Sequence, residues 1–154
     1  MRKIVSLILI CMLAIAGMGC GNTKKQTAVC TISDSGYGLE QEMILEAEGD
    51  VVHTITQTMS LNLSVYTEEQ VAVLSENMEE RQEIYESIDG IVYEYEMKDN
   101  YIREKIIIDL TDEKTKERLQ ENQLLVIEGN EDKISLKETV KSLGTGWTVE
   151  MKEE

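Results

Sequence analysis

Two runs of alternating apolar residues, Ile91 to Lys98 and Tyr101 to Leu110, meet at the dipeptide Asp99-Asn100, and this arrangement leaves the chain few folds to choose from. Asp and Asn tolerate the left-handed backbone conformation that a two-residue hairpin turn requires. Ile91, Tyr93, Tyr95 and Met97 share one face of the first run, and Ile102, Ile106, Ile108 and Leu110 share one face of the second. A shift of register by one residue would send both rows to solvent, so the pairing is specified by burial. An antiparallel sheet is the consequence.

Further strands and helices can be placed around that hairpin. Ala28 to Ser33 sets Val29 and Thr31 against Cys30 and Ile32, and Asp34-Ser35-Gly36 turns the chain. Leu39, Gln41, Met43, Leu45 and Ala47 share a strand face, with Glu40, Glu42, Glu46 and Glu48 off it. After the turn at Glu48-Gly49-Asp50, Ile55, Met59, Leu61 and Leu63 face one way and Thr54, Thr56, Thr58, Ser60 and Asn62 the other, the pattern of a half-solvated antiparallel strand. Thr67-Glu68-Glu69-Gln70 is a capping box, and Val71, Leu74, Met78, Tyr85 and Ile88 line one side of a helix running to about Ser87 and stopped by Asp89-Gly90. Thr111-Asp112-Glu113 caps a short helix to about Gln120, in which Leu119 is nearly the only apolar residue, and Leu124 to Ile127 is a strand or a core loop. Ser135-Leu136-Lys137-Glu138 reads as a second capping box, opening a helix with a Leu136, Val140, Leu143 stripe that Gly144 ends. Trp147, Val149 and Met151 alternate as a last strand. The expected fold class is α+β, an antiparallel sheet with helices packed on one face.

The N-terminus sets the compartment. Arg2 and Lys3 precede an uncharged apolar run from Ile4 to Met18, too short for the roughly 20 apolar residues a membrane-spanning helix needs. Two cations, an apolar middle and small residues at the end form the three-part pattern of a removable export signal. Gly17-Met18-Gly19-Cys20 resembles a bacterial lipobox. That resemblance implies a signal peptide over residues 1–19, diacylglycerol on Cys20 as the mature N-terminus, a short tether over 20–27 and a single domain over 28–154. The protein would then be lipid-anchored at the extracytoplasmic face of a bacterial membrane. Two acyl chains make such an anchor effectively stable, at about 0.8 kcal/mol per buried methylene.

Composition narrows the possible activities. The formal charge of −15 becomes −17 once Arg2 and Lys3 leave with the signal, which argues against nucleic acid as a partner because phosphate binding depends on clustered Lys and Arg. Lys24 and Lys25 beside the anchor would each gain about 1 kcal/mol at an anionic surface. Cys11 departs with the signal and Cys20 is alkylated, so Cys30 is left alone, a small buried hydrophobe without a disulfide partner. His53 is the sole histidine and sits at the start of a strand, which removes Ser-His-Asp and Cys-His schemes. No CxxC or HExxH motif occurs, and Glu128, Glu131 and Asp132 around Gly129 lack the alternating oxygen pattern of a calcium loop. Leu143-Gly144-Thr145-Gly146 follows a helix instead of opening one, so it is no phosphate loop. Tyr93 and Tyr95 stand where they can line a pocket.

Ile88-Asp89-Gly90, the strand containing Ile106-Ile107-Ile108-Asp109-Leu110, and the helix-to-strand corner from Ser135 to Trp147 resemble the YehR-like bacterial lipoproteins, small α+β domains of uncharacterised function. The motifs are core and turn residues, so the resemblance implies a fold and a lipid anchor but no active site. The expectation is a lipid-anchored, non-enzymatic binding or interaction module with no catalytic residues, cofactor or metal. Its partners are the membrane, through Cys20, and a protein of the cell envelope. The alternatives are a small hydrolase using carboxylates alone or an envelope-assembly subunit. A concave acidic pocket with two facing carboxylates would favour the hydrolase, and an exposed apolar patch would favour a protein partner.

Overall fold

The computed structural model describes residues Met12–Leu13, 24–122, 124, Val126–Ile127 and 133–153. Cys20 and the acidic turn at Glu128, Glu131 and Asp132 lie outside the described residues, as do residues 1–11 and 14–19 of the expected signal segment. Met12–Leu13 pairs in parallel with Val126–Ile127, the run expected as strand or core loop, apart from the main sheet.

The main sheet has six strands: β1 (Lys25–Asp34), β2 (Leu39–Glu48), β3 (Val51–Asn62), β4 (Ile91–Lys98), β5 (Tyr101–Asp109) and β6 (Thr148–Glu153). Their spatial order is β4-β5-β3-β2-β1-β6, and every neighbouring pair is antiparallel. The hairpin turn is as the sequence requires: Asp99 and Asn100 are the two non-glycine residues with positive φ, at 54° and 61°, among the described residues. β1 starts at Lys25, three residues before the Ala28 expected, because Lys25, Gln26 and Thr27 continue the ladder against Glu48, Ala47 and Glu46.

Helix α1 (Glu68–Glu86) opens with the full capping box, Thr67 N–H donating to Gln70 Oε1 at 2.9 Å and Gln70 N–H donating to Thr67 Oγ1 at 3.3 Å. α2 (Glu113–Glu121) buries Leu119 in the core, and its Thr115 hydroxyl donates to the Asp89 carbonyl at 2.8 Å. α3 (Leu136–Ser142) departs from expectation at both ends. The Ser135 hydroxyl accepts from Glu138 N–H at 3.2 Å, but the partner of the cap comes from the β2–β3 turn, where Asp50 accepts from Ser135 Oγ at 2.6 Å and from Lys137 N–H at 2.9 Å. At the far end the helix stops because Leu143 is extended (φ −60°, ψ 128°), and Gly144 is not in the left-handed region.

All three helices cover the same face of the sheet. Leu74, Met78 and Tyr85 of α1, Leu119 of α2 and Leu136 of α3 are buried against Ala28, Cys30, Met43, Leu45, Ile55, Met59, Leu61, Ile102 and Ile106. The expected α+β architecture with helices on one face is therefore observed. The core beneath the sheet falls into two clusters, one around Leu39, Met59, Leu61, Leu74, Met78 and Ile102 and a larger one around Met43, Leu45, Tyr85, Ile106 and Leu136. The opposite face of the sheet carries no helix among the described residues.

Candidate functional site

Reading across the strands gives the register of each face. On the covered face, Ile32, Gln41, Met59, Glu104 and Tyr95 form one row, and Cys30, Met43, Gln57, Ile106 and Tyr93 form the next. Gln57 and Glu104 thus stand among apolar side chains, each with only 3% of its surface exposed. Tyr93 donates its hydroxyl to Glu104 Oε1 at 2.7 Å, and Arg81 of α1 reaches the same oxygen at 3.2 Å. Burial raises the Glu104 pKa above the ordinary carboxylate value, with Arg81 and then the Tyr93 hydrogen bond opposing that rise. The Tyr93 phenol is pushed up as well, by burial first and then by the Glu104 charge. Gln57 Nε2, Arg81 Nη1 and Glu104 Oε2 are buried without a hydrogen-bond partner among the described residues. This is a polar seam between the two apolar clusters. Gln57 sits midway between Ile55 and Met59, and Glu104 midway between Ile102 and Ile106; that alternation is the sequence signal that marks both as inward-facing.

The residues singled out by sequence scatter around this seam. Tyr93 belongs to it, stacked on Tyr85 with ring centroids 5.0 Å apart. Cys30 is fully buried and desolvation raises its thiol pKa, which keeps it an inert hydrophobe. His53 is the extra residue of a β-bulge: Glu46 pairs with Thr54 and Ala47 with Val52, leaving His53 unmatched on β3. The bulge explains why Val52 and Ile55, three positions apart, are both buried. His53 Nε2 is buried and has no hydrogen-bond partner among the described residues. No group of three or more His, Cys, Asp or Glu among the described residues is arranged to hold a metal ion.

The open face is organised in rows too. Ser33, Glu40, Ser60, Arg103 and Glu96 form one, and Thr31, Glu42, Thr58, Lys105 and Glu94 the next, with Thr148 beyond Thr31. These two rows line a trough of about 1060 Å³ that crosses the strands, and the covered-face residues between them, Ile32, Gln41, Met59, Glu104 and Tyr95, supply its floor. Arg103 is tied to Glu96 at 3.2 Å and lies over the Tyr101 ring, 5.3 Å from its centroid. Glu40, Glu42 and Glu94 make no ion pair among the described residues. Beside the trough runs an apolar row: Val29, Ile44, Thr56, Ile107 and Val92. Val29, Ile44 and Ile107 are half-buried, and Val92 on the edge strand is 52% exposed. Alternation separates these faces in the sequence, but the alignment of outward apolar residues from β1, β2, β5 and β4 into one line exists only in the register of the sheet.

Chemically, the trough offers hydroxyl groups, carboxylates and two cations without an imidazole. Across it, Glu42 and Glu94 are three strand spacings apart, as are Glu40 and Glu96, about 14 Å at about 4.8 Å per step. Along a single strand Glu40 and Glu42, like Glu94 and Glu96, are two residues apart, about 7 Å, and Glu96 of the second pair is held by Arg103.

A family model described as "Protein of unknown function (DUF1307)" matches residues 28–146. Among solved structures the chain is similar to the NMR structure of Escherichia coli YehR, with 20% identity, 70% of this chain and 73% of that chain covered and a TM-score of 0.44. It is also similar to the NMR structure of a protein from Streptococcus pneumoniae TIGR4, with 16% identity, 88% of this chain and 90% of that chain covered and a TM-score of 0.46. No curated protein matches. The family match covers most of the chain and meets the expectation of a YehR-like family of uncharacterised function: the chain belongs to the DUF1307 family.

Proposed function

We propose that the protein is a lipid-anchored binding module at the outer face of a bacterial membrane, held there by a diacylglycerol thioether on Cys20, and that it presents the open face of its sheet to an envelope protein. The observation that carries this reading is the joint layout of that face. An apolar row aligned across five strands beside the open trough suits a macromolecular contact. Glu104, whose pKa is raised, contributes to the trough's floor, but its carboxylate is buried and turned to the opposite face, where Arg81 of α1 holds it.

Intact-mass analysis of protein extracted from membranes tests the anchor. A chain beginning at Cys20 with added diacylglycerol is expected, and Cys20→Ala is expected in the soluble fraction. A chain still beginning at Met1 with an unmodified thiol refutes the anchor. Crosslinking in membranes tests the module itself: a partner captured by wild type and lost in Val92→Lys supports the open face as its contact, and equal capture by both refutes it.

A further inference from the structure

The apolar row of the open face is bordered by carboxylates on both of its long sides. Ile44 of β2 has Glu42 and Glu46 two positions away in either direction, so all three project from the same face. Further along the row, Glu94 of β4 borders Val92 and Asp109 of β5 borders Ile107 in the same manner, Asp109 accepting from Thr111 through one carboxylate oxygen. Lys152, at the far end of the Glu46 row, is drawn 3.9 Å from Glu150, and Lys105 is the remaining cation next to the row. The arrangement is an apolar strip inside an anionic frame.

We infer that this strip is the seat of a cationic amphipathic helix, supplied by a partner protein, which lies across the strands with its apolar ridge on Ile44 and Ile107 and its basic residues against Glu42, Glu46, Glu94 and Asp109. The inference rests on the binding-module reading and names the occupant. Dimensions agree with it. Val92 to Val29 spans four strand spacings, about 19 Å, which a helix covers in about 13 residues at 1.5 Å each. The carboxylates stand about 7 Å to either side of the strip, two residues along each strand, and a helix about 10–12 Å across brings its flanking side chains to them. Charge excludes the other occupants: a second copy of this chain would set carboxylates on carboxylates, and an anionic lipid surface would be repelled by the same frame.

The test uses the lipidated full-length protein in zwitterionic nanodiscs, with empty nanodiscs as the blank. The probe is a synthetic 14-residue helical peptide with a leucine ridge flanked by lysines. Its controls are a scrambled peptide of the same composition and a peptide in which glutamates replace the lysines. The helical peptide is expected to bind at least tenfold more tightly than either control. It is also expected to shift the amide resonances of Ile44, Ile107 and Val92. Ile107→Lys should weaken binding at least tenfold, and Val92→Lys, on an exposed edge position that the fold tolerates, should weaken it severalfold. Equal binding of the scrambled peptide, or no effect of Val92→Lys, overturns the inference. Such a result would leave the anchor and crosslinking outcomes untouched, whereas a soluble, unmodified Cys20 chain would refute the anchor and not the occupant.

Discussion

Glu104 is the residue whose burial does most to shape the interior. Its carboxylate gives the Tyr93 hydroxyl and the Arg81 guanidinium a common acceptor, so removing it strands two polar groups under α1. Glu104→Ala is expected to cost about 3 kcal/mol, the range for breaking one partner of a buried pair, as measured by the urea midpoint. The pH dependence follows from the raised pKa. A carboxyl that holds its proton more tightly when folded contributes stability below its unfolded pKa of about 4.3 and loses that contribution as pH rises through the folded value. Glu104→Gln should therefore gain on wild type in relative stability between pH 4 and pH 7, and a constant difference over that window would contradict the assignment. Sequence alone separated Ile102, Ile106 and Ile108 onto the buried face correctly. It passed over Glu104 and Gln57 because a local pattern says which way a side chain points but not what will cover it. Arg81, the counter-charge, arrives from a helix more than twenty positions earlier.

Elements in this protein are well announced by short-range chemistry and poorly announced where a distant partner takes part. The hairpin turn, the α1 capping box and the alternation of β2 and β3 were legible because each is decided within four residues. The α3 cap was half legible: Ser135 was evident, but Asp50, which completes it, lies 85 residues away in sequence. Asp50→Ala is expected to remove two acceptor contacts and cost about 1–2 kcal/mol, with amide exchange rising first in the α3 residues. The β3 bulge was also missed, although Val52 and Ile55 at a spacing of three are the break in alternation that marks it. Gly90 joins α1 to β4 with φ at +85°, and an added Cβ there would collide with the Thr115 hydroxyl. Gly90→Ala should therefore destabilise by at least about 1 kcal/mol, visible as a lowered urea midpoint, through backbone strain and displacement of α2.

For the molecule as a whole, an excess of fifteen negative charges sets two responses to salt that run in opposite directions. Self-repulsion weakens the compact state, so raising NaCl from about 10 to 150 mM, which shortens the Debye length from about 30 to 8 Å, should raise Tm by calorimetry. Association with a cationic helix should weaken over the same range, because its steering and its contacts are being screened. A Tm that falls with salt would mean that local ion pairs, such as Arg103 with Glu96, outweigh the net field. The overall class, a sheet covered on one side, was legible from alternation and helix stripes together. The trough and its apolar border were not, since they exist only once β4, β5, β3, β2 and β1 stand side by side in register.

The polar seam has a mechanical meaning as well. Because Gln41, Gln57 and Glu104 interrupt the oily layer, the residues around Leu61 and Met78 and those around Leu45 and Ile106 are two plugs sharing a single lid of β-strands. Such a layout predicts separable openings, with amide exchange at the start of α1, over the smaller plug, expected ahead of exchange around Tyr85.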